Sequence, residues 1–109
     1  MGDKAMTHLA DLLADSKNAK ILKLKKNKIT DEGFSVLNEA FRKNETLKSI
    51  MLDFNQLTEK SIENFTKMVA NKKNTLSIKR ISFMNNNIVI GKCKAFIKDV
   101  KSREVDMYI

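Results

Sequence analysis

Apolar and polar positions alternate over three short stretches of this chain, and each stretch opens the same phrase. Leu22/Leu24, Ile50/Leu52 and Ile81/Phe83 fall on one side of an alternating pattern, the signature of a half-buried strand. The stretches continue as Leu22-Lys23-Leu24-Lys25-Lys26-Asn27-Lys28-Ile29, Ile50-Met51-Leu52-Asp53-Phe54-Asn55-Gln56-Leu57 and Ile81-Ser82-Phe83-Met84-Asn85-Asn86-Asn87-Ile88. All fit L-x-L-x-x-N-x-L, and the marker asparagines step by 28 and then by 31 residues. Behind each strand the period lengthens to that of a helix. Thr30 and Thr58 are predicted N-caps, followed by Asp31-Glu32 and Glu59, whose charges suit the positive end of a helix dipole. The apolar faces are then Phe34, Leu37, Phe41 and Ile62, Phe65, Val69. Equal offsets give Cys93, Phe96 and Val100 in a third helix, and Met6, Leu9 and Leu13 in one over about 3–15.

At the C-terminus Val105, Met107 and Ile109 alternate with Glu104, Asp106 and Tyr108, which predicts a fourth strand. The organisation is then one domain, 1–109: an N-terminal helix or partial repeat over 1–18, repeats over 19–46, 47–77 and 78–103, and a terminal strand over 104–109. One strand plus one helix cannot bury its own apolar face and must stack on a copy of itself. Parallel strands joined by right-handed helical crossovers result. Stacking in register sets Ile21, Ser49, Arg80 and Glu104 in one row of the outer sheet face, Lys23, Met51, Ser82 and Asp106 in the next, and Lys25, Asp53, Met84 and Tyr108 in a third. Lys25 then lies beside Asp53 and Arg80 beside Glu104, opposite charges that the alignment did not use. The segment 71–75, which absorbs the extra residues, is the expected mobile loop.

The phrase and its spacing resemble the leucine-rich repeat superfamily, and the full helix in the back half resembles its ribonuclease-inhibitor subfamily. The resemblance covers nearly the whole chain and implies an α/β solenoid of about three and a half strand–helix repeats, with a short parallel sheet and helices on the convex side. It also implies that Asn27, Asn55 and Asn86 form a structural ladder, their side chains bonding backbone groups of the turn after each strand. Family members carry more repeats and often separate caps, so here the arc is expected to be shallow.

Composition narrows the function. A single cysteine excludes an internal disulfide framework and suits a reducing compartment, and no apolar run reaches the length of a membrane span. A cytoplasmic protein is expected, and the lysine- and asparagine-rich make-up also resembles effectors delivered into host cells. No catalytic constellation is visible. His8 is the sole histidine, Cys93 sits at an inward helical position, and no glycine loop or C-x-x-C occurs. Neither an enzyme nor a metal, cofactor or small-molecule substrate is expected.

Function is therefore expected on the exposed strand positions. Lys23 and Lys25 make a basic end, Met51, Phe54 and Met84 an apolar middle, and Glu104 and Asp106 with Tyr108 an acidic, aromatic end, with Asp53 and Arg80 between them. Phe54 stands where the other repeats have Lys26 and Asn85, so it either packs on a neighbouring loop or anchors a partner. The reading is a protein-binding module, monomeric or weakly dimeric, with an inhibitor or regulator that masks a partner's site as the sharper form. A net charge of +8 supports an alternative, electrostatic binding of nucleic acid or anionic membrane through convex lysines such as Lys60, Lys67, Lys72, Lys73, Lys92, Lys94, Lys98 and Lys101. Self-association through edge strands is a third possibility.

Overall fold

The computed structural model describes residues 3–72 and 76–109. Helices α1 (Asp3–Asp15), α2 (Asp31–Lys43), α3 (Glu59–Asn71) and α4 (Lys94–Ser102) alternate with strands β1 (Ile21–Lys23), β2 (Ser49–Met51), β3 (Arg80–Ser82) and β4 (Asp106–Tyr108). The strands form one parallel sheet in the order β1-β2-β3-β4. Thr30 and Thr58 occupy the N-cap positions of α2 and α3, and Thr58 accepts a bond from the Lys60 N–H. Thr30 makes no side-chain cap bond, and the corresponding position before α4 is Val89. There the chain enters through a 3-10 turn, Ile90–Lys92, and α4 starts late at Lys94. Of the expected loop over 71–75, Asn71 closes α3 and Lys72 is buried; residues 73–75 lie outside the described residues.

Register follows the repeat for the first three strands. Ile21, Ser49 and Arg80 pair in one row and Lys23, Met51 and Ser82 in the next. Hydrogen bonds continue beyond the strands, from Leu24 N to Met51 O (2.9 Å) and from Leu52 N to Ser82 O (2.9 Å). The fourth strand departs from expectation by two residues. Asp106, not Glu104, pairs with Arg80, and Tyr108 lies beside Ser82 rather than Met84. Glu104 adopts a left-handed backbone (φ 64°) and closes the end of α4, donating its N–H to Lys101 O. The Arg80–Glu104 pairing is therefore absent, whereas Lys25 Nζ lies 3.8 Å from Asp53 Oδ2.

Inward strand residues Leu22, Ile50, Ile81 and Met107 meet the apolar helix faces in one core. At its centre Phe34 packs at an angle on Phe41, Phe65 and Phe83, with ring centroids 5.7–6.5 Å apart. Such tilted contacts add to the area these rings bury. α1 closes one end, with Met6 and Leu13 buried and Leu9 half-buried.

Two side chains tie the units together where backbone pairing stops. The Asn55 Oδ1 accepts from Asn27 N (2.9 Å) and Ile29 N (3.0 Å), and its Nδ2 donates to Leu24 O and Leu52 O (2.9 Å each). Asn86 repeats the arrangement one unit on, accepting from Leu57 N (3.0 Å) and donating to Leu52 O and Phe83 O. Asn27 Nδ2 donates to Lys25 O. On the helix side, Asp31 Oδ1 accepts from Thr58 N (2.9 Å) and Ser61 Oγ (2.6 Å), and Oδ2 from Thr58 Oγ1 (2.6 Å). The first residue of α2 thereby holds the start of α3. Burial pushes the Asp31 carboxyl up, but the bonds from Ser61 and Thr58, with Lys60 nearby, outweigh it and leave the pKa below 3.8.

Face assignment, ladder and staple each make a prediction. Leu52→Ala is expected to destabilise by about 2–5 kcal/mol, whereas Met51→Ala on the opposite face changes stability little; equal losses in urea melts contradict the assignment. Asn55→Ala strands several buried backbone groups at about 1–3 kcal/mol each. It should lose at least about 3 kcal/mol, while the exposed Gln56→Ala melts like wild type. Because the folded pKa of Asp31 is depressed, its stabilisation is complete above the unfolded value and is lost as pH falls through the lower folded one. The gap in melting temperature between wild type and Asp31→Asn should thus be constant near neutrality and narrow as pH falls below the ordinary aspartate range; a gap that stays constant down the whole acid limb counts against the staple.

Candidate partner-binding surface

One sheet face carries the helices and the other carries none, so alternate strand residues are left open to solvent. On that face the short side chains of Ser49 and Ser82 stand between the longer Met51, Met84, Arg80 and Tyr108, and the difference in length leaves a groove of about 230 Å³. Asp53 closes one end. Its carboxylate accepts from the Ser82 hydroxyl and the Met84 N–H (3.2 Å) on the neighbouring strand, and faces Lys25. Asp53 is thus held in place by three groups and forms part of the wall. The volume lies below the roughly 300–1,000 Å³ usual for small-molecule sites. It fits one or two apolar side chains.

The groove unites Met51, Asp53, Arg80, Met84 and Tyr108. Lys23 pairs with Met51 in register and stands exposed beside it, and Asp106 lies next to Arg80. Phe54 stands apart, in the turn beyond β2. The residue is 51% exposed, so about half of it is left open to solvent. Lys26 Nζ lies 5.5 Å from the ring centroid, a cation–π distance. The backbone is left-handed (φ 59°), as it is at Lys26 and Asn85 in the equivalent turns. Asparagine tolerates that region; a bulky aromatic is disfavoured there. A largely open aromatic at a backbone site that disfavours it is not accounted for by core packing.

Of the lysines expected on the convex side, Lys60, Lys67, Lys92, Lys94, Lys98 and Lys101 are exposed, Lys72 is not, and Lys73 lies outside the described residues. Lys72 is 5% exposed, and its ammonium donates to Phe41 O (2.9 Å) and Asn44 O, closing the C-terminal end of α2. Burial holds its pKa below the ordinary lysine value, with Glu45 opposing the shift. Asn44, one unit earlier, does the same for α1, donating Nδ2 to Leu13 O and Ser16 O. Asn44, Lys72 and Arg103 each follow a ladder asparagine by 17 residues, a second periodic row that could have been read from the sequence. Arg103 instead turns to Asp99, 3.2 Å away. Lys67 and Lys92 pair with Glu63 and Glu59. His8 is exposed on α1. Cys93 is buried, and burial followed by Glu59 pushes its thiol up, away from the reactive thiolate. Among the described residues no three His, Cys, Asp or Glu side chains are grouped to hold a metal ion, and no helix is long and apolar enough to cross a membrane.

No protein-family model matches the sequence, and no curated protein matches it. Among solved structures the chain is similar to one described as leiomodin-1 actin-binding site 2, with a TM-score of 0.83 at 18% identity. The match covers 99% of this chain but 63% of that one, so the chain spans less than two thirds of its structural neighbour. At this identity the likeness is one of fold: a parallel sheet backed by helices.

Proposed function

We propose that the chain is a leucine-rich repeat solenoid of the ribonuclease-inhibitor-like kind, and that it is a non-catalytic module binding another protein through its helix-free sheet face. The groove between Met51, Met84 and Tyr108 carries this reading. It is apolar at its centre, ringed by charge and too small for most metabolites, the make-up of a surface that seats a partner's side chains. The repeat period and the asparagine bonds support the solenoid assignment. The structural neighbour's description names an actin-binding site, which makes actin the first protein to try. In the sharper form of the reading, binding masks a functional site on the partner. The convex alternative loses ground because Lys72 is buried and two of its companions are paired within the helices.

The test is a pulldown with quantitative mass spectrometry, using wild type, Phe54→Ala/Met84→Ala/Tyr108→Ala and Lys94→Glu/Lys98→Glu as baits, with actin followed explicitly. The triple variant is expected to keep its melting temperature, since all three side chains are 44–51% exposed. It should lose the partner, because anchors of this kind contribute about 1–2 kcal/mol or more each. The double variant should retain it. A triple variant that binds like wild type beside a double variant that does not would overturn the proposal in favour of the convex face.

A further inference from the structure

We infer that the segment seated on the sheet face is an acidic peptide stretch bearing a large apolar side chain, which enters the groove while its carboxylates meet the bases around it. The inference rests on the protein-binding reading and deepens it. Its basis is an imbalance of charge at the groove. Asp53, the acid in the groove wall, is already engaged by Lys25, Ser82 and the Met84 N–H. The bases are not so engaged. Lys23 and Arg80 are exposed, Lys26 lies further off over the Phe54 ring, and among the described residues none of the three forms an ion pair. Asp106 lies beside Arg80 in register without pairing to it. The face therefore offers an apolar slot flanked by cations that lack a carboxylate, and complementarity asks for the converse: an apolar side chain flanked by Asp or Glu. A nucleic acid would meet the same cations. It would leave Met51 and Met84 facing a charged backbone, and the surface has no row of aromatics on which successive bases could stack.

The full chain is immobilised and challenged with a random-peptide phage library at about 0.15 M salt, where exposed charges more than roughly 8 Å apart are screened. Selected peptides are expected to carry one or two large apolar residues flanked by Asp or Glu. Binding of the best synthetic peptide should fall at least about tenfold in Lys23→Glu/Arg80→Glu, with on-rates that drop as salt rises. Lys94→Glu/Lys98→Glu changes the net charge by the same amount on exposed positions of α4 and should leave affinity within about twofold. Melting curves check that both variants fold.

Apolar peptides without acidic bias that still compete at this face would overturn the acidic inference and leave the protein-binding reading standing. An equal loss in the two charge variants would also overturn it, because net charge rather than this face would then be responsible. No peptide selected, with a poly-U oligonucleotide or phosphatidylserine vesicles bound instead at the same salt, would overturn both.

Discussion

The Asn55 amide is the constraint on which the rest of this molecule depends. Parallel strands cannot be closed by a tight hairpin, so the chain must leave each strand, cross over through a helix and return in register. Where it leaves, backbone N–H and C=O groups turn away from the neighbouring strand. Asn55 meets them with one side chain, accepting from Asn27 and Ile29 and donating to Leu24 and Leu52. Two successive turns thus become one rigid edge, and the bonds are made at 8% exposure, where an unmet polar group is costly. The rotation of the turn fixes where α3 begins and which strand residues face the helices. The groove inherits its shape from that choice.

Core residues and the residues of the proposed binding face then occupy alternate positions of the same strands. Ile50, Leu52, Ile81 and Phe83 are fully buried, while Met51, Ser82 and Met84 between them look outward. The phenylalanine cluster behind the sheet and the Asp31 staple along the helices lie on the other side of the strands. Outward residues can therefore change character from unit to unit, as Lys25, Asp53 and Met84 do, without disturbing the core. A groove arises here because short serines at Ser49 and Ser82 sit among long neighbours.

The sequence made the repeat legible because one physical rule, alternate burial followed by a helical period, is applied three times at nearly constant spacing. Legibility failed where a unit lacks its marker. The fourth strand has no asparagine phrase to fix its position, so counting assigned Glu104 to a strand although the end of α4 uses it as a left-handed turn. Helix α4 has Val89 where α2 and α3 have threonine, and it is entered through a 3-10 turn that an offset from Asn86 cannot foresee. Lys72 was misread for a different reason. A lysine on a polar-looking turn is assumed to be solvated, and only the row shared with Asn44 and Arg103 points to a group that meets helix carbonyls. The groove was visible only as a set of outward residues, since its depth depends on side-chain lengths across two interstrand gaps.

Phe54 joins these levels. Its left-handed turn is imposed by the asparagine that follows it, because Asn55 can reach both neighbouring turns only if the chain bends there. The same conformation holds Lys26 and Asn85 in the equivalent turns, one of them a residue type that tolerates it. A phenylalanine there sits on a disfavoured backbone, is 51% exposed, and lies under Lys26 at a distance where an exposed cation–π pair is worth about 0.5–1 kcal/mol. On the proposed protein-binding reading, such a side chain gains its stabilisation when a partner removes the rest of it from water. Strain of this kind can persist only because the ladder over-determines the turn.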